Sequence, residues 1–468
     1  MKSKNSSLLR NTIIYGIGSF GSKILSFALI PLYSFYLNKG EFGYFDLVTT
    51  AISLIVPFAT LQISDSVFRW LLTSEGNLET KKKCITNGVL LILVNTIIVG
   101  ILSSIFYLFY PLKGHFIITL ICINAMIYPF FQQIARGLNM NKLFAFNGIL
   151  YTLIYLLSNI VFLFVFKLSI DALFYSTFIA YFFCSFFLFF QLKIYAYIDI
   201  QYFSVNSIKE LVKYSLPLIP NTISWWLISS VNKYLILAYL GISANGVFAM
   251  ANRFPAILVI VNQVFTLAWQ EAAIINFNSE DKKKYYSEVF KKLIKIQFSL
   301  VVLLSLSSRF LVEELISEEF HDSWLFMPVL YLSVAFLSFS GFFGALYLGV
   351  KQTKEIFTTT IFGSLTNIII GVVLIRYFGL MGIAIATCFG YAILFIVRLF
   401  TTRKILEIDF PIQVFFKYLL CVSLSFAIVY MFNAKTSLLS IIFFLAFFGI
   451  DNKDVINGFW NKILLKFK

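Results

Sequence analysis

The sequence predicts an all-α, polytopic membrane protein of about fourteen transmembrane helices, arranged as two six-helix bundles followed by two additional C-terminal helices. Three observations predict it. Of 468 residues, 60% are hydrophobic and only 13% charged, with a mean hydropathy of +0.88, which leaves no stretch polar enough for a water-soluble domain. Apolar runs of about 20 residues recur from end to end, each long enough to cross a hydrocarbon core of about 30 Å as a helix. Lysine and arginine fall mostly in every second loop, as topology signals do. The runs are continuous rather than alternating, which excludes a membrane β-barrel.

In chain order, Lys2, Lys4 and Arg10 precede the first run. Ser26-Phe27-Ala28 imitates a weak cleavage site, but the run continues to Leu37 and contains Lys23, so an uncleaved first helix is expected over about Asn11 to Leu37. The turn Asn38-Lys39-Gly40-Glu41 starts a second helix expected to continue to about Leu72. A basic loop with Lys81, Lys82 and Lys83 leads to helices over about Cys84 to Tyr110 and His115 to Ile134. Helices five and six follow, about Leu143 to Phe166 and Ile170 to Tyr195. The apolar hairpin Leu211 to Glu271 supplies the next two, and helix nine ends near Leu311 before the acidic loop Glu313 to Asp322. Helices ten to twelve are separated by a loop with Lys351 and Lys354 and followed by one with Arg398, Arg403 and Lys404. Runs over about Pro411 to Phe432 and Leu438 to Ile450 precede a basic tail. The loops on the far side from the N-terminus hold only Lys39, Lys113, Lys167, Arg309, Arg376 and Lys435. Both termini are therefore expected in the cytoplasm, with an even number of spans.

An internal repeat divides the chain. Tyr36-Leu37, Gly43 and Phe45 recur as Tyr239-Leu240, Gly246 and Phe248. Gly137 and Lys142 match Gly349 and Lys354, and Leu168 and Ala172 match Leu380 and Ala384, at nearly the same offset. The organisation expected is a six-helix lobe over residues 1–200, a second over 201–405, and two further helices with a basic tail over 406–468. Each copy has an even span count, so both enter the membrane in the same direction, as two bundles able to rock about a site near the midplane.

The net charge of +15 does not mark a nucleic-acid binder, because no exposed basic domain exists to present it. Cys84, Cys122, Cys184, Cys388 and Cys421 show no paired spacing and read as small buried hydrophobes. The two histidines, His115 and His321, lie in short outer loops, and no nucleophile with a nearby base, phosphate loop or metal spacing appears. An enzyme is therefore not expected.

What stands out is charge at depth. A lysine or arginine near the middle of a spanning helix costs roughly 2.5 to 3.5 kcal/mol on insertion scales, so it is paired, snorkelling or facing a polar cavity. Lys233 precedes Leu240, and Arg253 follows Gly246, by the same count, which puts both about 10 Å below one turn. On that helix Thr222, Trp226, Ser229 and Lys233 share a face, with Trp225 adjoining it. On the first helix Gly16, Ser19, Lys23 and Ser26 form a similar small, polar stripe. Lys23, Lys233 and Arg253 suit a phosphate or diphosphate, and Trp225 and Trp226 suit sugar rings. Asp65 and Arg69, four apart with the acid first, are expected to pair near the cytoplasmic end of helix two. With Arg136 they are candidates for an inner gate, and Asp46 for the coupling of an ion, H+ or Na+. Glu271 reads as solvated.

Several stretches together resemble the multidrug/oligosaccharidyl-lipid/polysaccharide (MOP) exporter superfamily, in particular its Wzx-type O-antigen and polysaccharide repeat-unit flippases. They are Leu37-Asn38-Lys39-Gly40-Glu41-Phe42-Gly43-Tyr44-Phe45, Ala135-Arg136-Gly137, Tyr214-Ser215-Leu216-Pro217-Leu218-Ile219-Pro220, Ala244-Asn245-Gly246-Val247-Phe248, and Gly379-Leu380-Met381-Gly382-Ile383-Ala384-Ile385-Ala386-Thr387. The resemblance implies a MATE-like pair of bundles around a cationic central cavity, working by alternating access in the bacterial inner membrane. It implies undecaprenyl-diphosphate-linked oligosaccharide as cargo, for O-antigen or capsule, and a polymerase and glycosyltransferases of the same pathway as partners. The rival expectations are an ion-coupled drug antiporter of the same fold and, further off, a membrane enzyme of the same pathway. Against the antiporter stand the basic residues, where acidic ones are expected. Against the enzyme stand the short outer loops.

Overall fold

A computed structural model describes residues 27, 29–74, 77–275, 281–350 and 353–451. The first-helix stripe with Lys23 lies outside the described residues. Every regular element among them is helical. The chain divides into two compact units, Met1–Ala249 and Met250–Lys468.

In the first unit, residues 29–36 (α1) are helical. The turn that follows is a capping box: Glu41 N donates to Asn38 Oδ1 at 2.9 Å and Asn38 N to Glu41 Oε2 at 3.2 Å. It starts α2 (Lys39–Ala59). The expected single helix to Leu72 is instead broken. Pro57 lies in the last turn of α2, Leu61 and Gln62 take left-handed backbone (φ 52° and 51°), and a new helix, α3 (Ile63–Thr73), starts. Proline has no N–H for the carbonyl a turn earlier, and the chain beyond it closes in short turns, with Thr60 N donating to Val56 O at 2.9 Å, Leu61 N to Phe58 O at 3.1 Å and Ile63 N to Thr60 O at 3.1 Å. α4 (Leu78–Phe109), α5 (His115–Gly137), α6 (Asn141–Ile160, prolonged by a π-helical turn Val161–Val165) and α7 (Ile170–Gln191) follow within a few residues of the expected limits. α8 (Val205–Ser215) is short and amphipathic, and Ser66 Oγ on α3 donates to Leu211 O at 2.6 Å. One core of the unit is formed by Ile63, Val67 and Leu71 against Ile85, Phe130 and Ile134. α9 (Ile219–Leu240) and the first part of α10 (Ile242–Arg253) complete it.

In the second unit, α11 (Pro255–Ile275) leaves α10 at 44°, because Pro255 cannot donate to the preceding turn. α12 (Lys282–Leu315), α13 (Met327–Gly349), α14 (Thr353–Thr401), α15 (Ile412–Met431) and α16 (Ala434–Asp451) follow. α14 holds two of the expected helices, joined at Gly379, whose φ of 54° and ψ of −131° only glycine adopts readily. Phe290, Phe298, Phe339, Phe342 and Phe395 fill the core, and Trp269 stacks on Phe342 at 4.3 Å while its Nε1 donates to the Phe342 carbonyl. Asp451 accepts from Lys295, Lys417 and Tyr418, which fastens α16 to α12 and α15. Nine helices among the described residues are long and apolar enough to span a membrane, and ten if the bent pair α10–α11 is one span.

Arg398, expected as a loop charge, is 2% exposed inside α14. Its Nε donates to Thr359 Oγ1, and its terminal nitrogens to Ser340 O, Thr360 Oγ1 and Ile356 O, at 3.0 to 3.4 Å. Sequence spacing alone could not separate a charge just outside the helix from one turned inward. Arg398→Ala removes these four hydrogen bonds and leaves the space of a buried guanidinium empty, at a combined cost of about 2–4 kcal/mol. We expect a clear fall in the detergent-solubilised unfolding temperature, only partly recovered by Arg398→Lys.

Candidate functional site

Asp46 is placed by a close approach of two helices. A Cβ added to Gly43 would come within 2.1 Å of Ile242 O, and one added to Gly246 within 1.9 Å of Lys39 O. These are the two glycines that match in the repeat, and they face one another across the contact of α2 with α10. Any larger residue at either position would force the backbones apart. The approach lets Asn245 Nδ2 donate to Gly43 O at 3.1 Å and to Asp46 Oδ2 at 3.3 Å.

The other carboxylate oxygen, Asp46 Oδ1, accepts from Lys233 Nζ at 2.9 Å, and the same ammonium donates to Thr50 Oγ1 at 2.9 Å. Side-chain exposure is 10% for Asp46 and 21% for Lys233, so the pair is largely withdrawn from solvent. A charge so placed is costly unless neutralised, and here each ion neutralises the other. The depth argument left three readings of Lys233 open, and pairing is the one realised. About a fifth of the lysine side chain stays exposed.

Two more side chains of the α9 face meet α2 or the break after it. Thr222 Oγ1 accepts from Gln62 Nε2 at 2.5 Å, in the break after α2. Trp226 Nε1 donates to Thr50 O and Ser53 Oγ at 3.2 Å, and its ring meets Tyr234 at 5.7 Å. Ser229, also on that face, is exposed and bonds to its own helix at Trp225 O. Trp225 is half-buried. Arg253, half-buried, is the last residue of α10 and belongs to the second unit. Lys23 lies outside the described residues. Thr50, Ser53, Gln62 and Asn245 were missed as site residues. Their only sequence signal is polarity inside apolar helices, with Asn245 beside the repeated glycine.

A second polar cluster joins Asp65, Gln133 and Arg136. Gln133 Nε2 donates to Asp65 Oδ1 at 3.1 Å, and Arg136 donates to Gln133 Oε1 at 3.0 Å while its guanidinium lies 4.5 Å from the Phe68 ring. No ion pair forms between Asp65 and Arg69 among the described residues. The Arg69 guanidinium is instead over the Tyr214 ring, at 4.5 Å. A helical pair at this spacing is worth only about 0.2–0.5 kcal/mol, which tertiary partners readily outweigh. No group of three or more His, Cys, Asp or Glu side chains that could hold a metal occurs among the described residues.

A family model described as polysaccharide biosynthesis protein matches residues 8–274. An uncharacterized membrane protein of Methanocaldococcus jannaschii is 23% identical over 424 residues, 82% of each chain. Among solved structures, the chain is similar to the lipid II flippase MurJ in an inward closed conformation, with TM-score 0.71, 19% identity and coverage of 95% of this chain and 100% of that one. It is also similar to an inward-facing multidrug resistance MATE family transporter of the MOP superfamily, with TM-score 0.65, 15% identity and coverage of 84% and 94%. A MOP superfamily transporter from Pyrococcus furiosus with reversed polarity of its binding pocket gives TM-score 0.60 at 16% identity, covering 85% of this chain and 95% of that one. At these identities the structural likeness establishes the fold, that of MOP transporters.

Two tests follow from the geometry. Asp46→Asn leaves Lys233 withdrawn from water with only neutral partners, a loss of about 3 kcal/mol or more for a buried pair broken on one side. The double variant Asp46→Asn/Lys233→Met is expected to unfold at a higher temperature than Asp46→Asn alone, and equal values would show that the two charges do not interact. Gly246→Leu is expected to abolish the folded monomer in size-exclusion chromatography, whereas Gly148→Leu, at a position with open space around it, leaves it intact.

Proposed function

The chain belongs to the polysaccharide biosynthesis protein family, and from that premise we propose that it is a flippase. Its cargo in this reading is an undecaprenyl-diphosphate-linked oligosaccharide repeat unit, moved by alternating access across the bacterial inner membrane for O-antigen or capsule synthesis. Both termini are cytoplasmic in this proposal, and the pathway's polymerase and glycosyltransferases are its partners. Two six-helix lobes with two appended helices remain our reading of the repeat.

The observation that carries the proposal is Lys233 bound to a single carboxylate, with part of its surface still reachable. A diphosphate carries more negative charge than Asp46 and offers several acceptor oxygens, so it competes for the same ammonium. Handing Lys233 from Asp46 to the cargo frees the carboxylate, which then takes up H+ or Na+. Return of the pair expels both. Cargo and coupling ion are thereby linked through one ion pair, and neither charge is left alone in a dry interior at any step. Lys23 and Arg253 are the further cationic contacts we assign to the diphosphate, and Trp225 is the sugar platform. Trp226, whose indole N–H is already taken by α2, holds the helix that carries Lys233. The Asp65, Gln133 and Arg136 cluster, with Arg69 on Tyr214, is the inner gate in this scheme.

A second reading, an ion-coupled antiporter of small cationic molecules, draws on the same buried carboxylate, since Asp46 could exchange a proton for a cation. Loss of the gene separates the two. Accumulation of lipid-linked glycan on the cytoplasmic side supports the flippase, while normal surface polymer with altered drug sensitivity supports the antiporter. Arg253→Ala is expected to impair export more than Arg253→Lys at equal protein level, because the conservative variant keeps the charge. Equal export by both variants would remove Arg253 from the site.

A further inference from the structure

The outer half of α4 meets α5 through Ser103 and Tyr107 but buries none of its own side chains. All of the helix's buried side chains fall between Cys84 and Thr96, and none between Ile97 and Phe109. The space beside it is a cleft of about 1460 Å³, bounded by α4, α5, the π-helical end of α6 and α7. Six aromatic rings line it: Tyr107, Phe116, Phe162, Phe166, Tyr175 and Phe178. Its floor runs along α5 from His115 to Ile123, about 12 Å at helical rise, close to one leaflet's share of the hydrocarbon core. The basic loop with Lys81, Lys82 and Lys83 is at the other end of α4, so the positive-inside rule assigns the cleft to the outer leaflet.

One end of the cleft is polar. His115 Nε2 is 3.1 Å from Ser103 Oγ, which is 2.6 Å from Thr119 Oγ1, and the His115 ring stacks on Tyr107 at 4.8 Å. The opposite end is apolar, so the shape suits a ligand with one polar tip and a long hydrocarbon body. The cleft also adjoins the helix of the ion pair. Tyr44 OH on α2 donates to Lys113 O in the loop that closes the cleft's outer mouth, at 3.0 Å. Tyr44 and Phe45 pack against Phe174, one residue before Tyr175 on α7.

We propose that this cleft is the outer-leaflet groove for the polyprenyl tail of the lipid-linked cargo. The proposal rests on the flippase reading and names where its tail is held. A polyprenyl chain with a phosphorylated end matches the polar and apolar ends of the cleft in order. The diphosphate end of the chain meets the polar step of His115, Ser103 and Thr119. Because Tyr44 ties the mouth of the groove to α2, a tail in the groove bears on the helix that carries Asp46, which links delivery in the outer leaflet to the ion pair.

The test uses the full-length protein in phospholipid nanodiscs containing a small fraction of undecaprenyl phosphate. p-Benzoyl-phenylalanine replaces Phe116 or Phe166, and the photo-adducts are weighed by mass spectrometry. The expected result is a polyprenyl adduct enriched about tenfold over its share of the lipid, a preference of about 1.4 kcal/mol. Gly100 faces open space in the cleft, so Gly100→Trp fills it without a backbone clash and Gly100→Ala serves as the control. Gly100→Trp is expected to remove the enrichment and lower glycan export at unchanged protein level. Adducts only to phospholipid in proportion to its abundance, adducts to another protein chain, or enrichment that survives Gly100→Trp would each overturn the proposal. Normal glycan export after loss of the gene would instead overturn the flippase reading, so the two failures are distinct.

Discussion

The first unit is organised by the cost of holding charge in an apolar interior. Asp46 and Lys233 answer that cost together, at 2.9 Å, and much of the local architecture serves to keep them there. The backbone approach at Gly43 and Gly246 brings Asn245 onto the free oxygen of Asp46. Thr50 shares the ammonium of Lys233, and Trp226 fixes the α9 helix through Thr50 O and Ser53. Remove the close approach, and the carboxylate loses its second donor while the two helices lose their register. An ion pair in this setting contributes little net stability, because desolvation offsets most of its attraction. What it contributes is a definite partner for each charge, which fixes how α2 and α9 meet.

The same constraint explains the breaks in the helices. An exposed helix end cannot be tolerated within an apolar layer unless its orphan carbonyls and amides find partners. At residues 60–62 they find them in Thr60 and its neighbours, and Gln62, released from the helix, reaches Thr222. At Phe254 the chain bends before Pro255 and restarts at once, Ile257 N donating to Phe254 O. In the second unit Arg398 supplies its donors to two threonine hydroxyls and two backbone carbonyls. The break after α2 and the buried Arg398 are thus matched by polar side chains that would otherwise be out of place in an apolar helix.

Much of this was legible in the residues. The turn from Asn38 to Glu41 is a local signal, written within four positions, and it marks the start of α2 correctly. The limits of α4 to α7 follow from hydropathy, which needs no partner to be read. The repeated glycines and the charges at depth were visible as anomalies. The pairing of Lys233 with Asp46 was not, because 187 positions separate them and each alone suits several partners. Asp65 and Arg69 show the opposite error: their spacing favours a helical pair, but Gln133 and Tyr214 are nearer to hand in three dimensions.

The sequence by itself determined that the chain is a bundle of apolar helices, roughly where each begins and ends, and which residues are out of place in such helices. Those properties depend on local composition and on the fixed thickness of the membrane core. Only the tertiary structure decided which misplaced residue meets which, where helices break, and that Arg398 turns inward. Partnership depends on the approach of segments far apart in the chain, and a helix surface offers the same side chain to several neighbours until packing selects one.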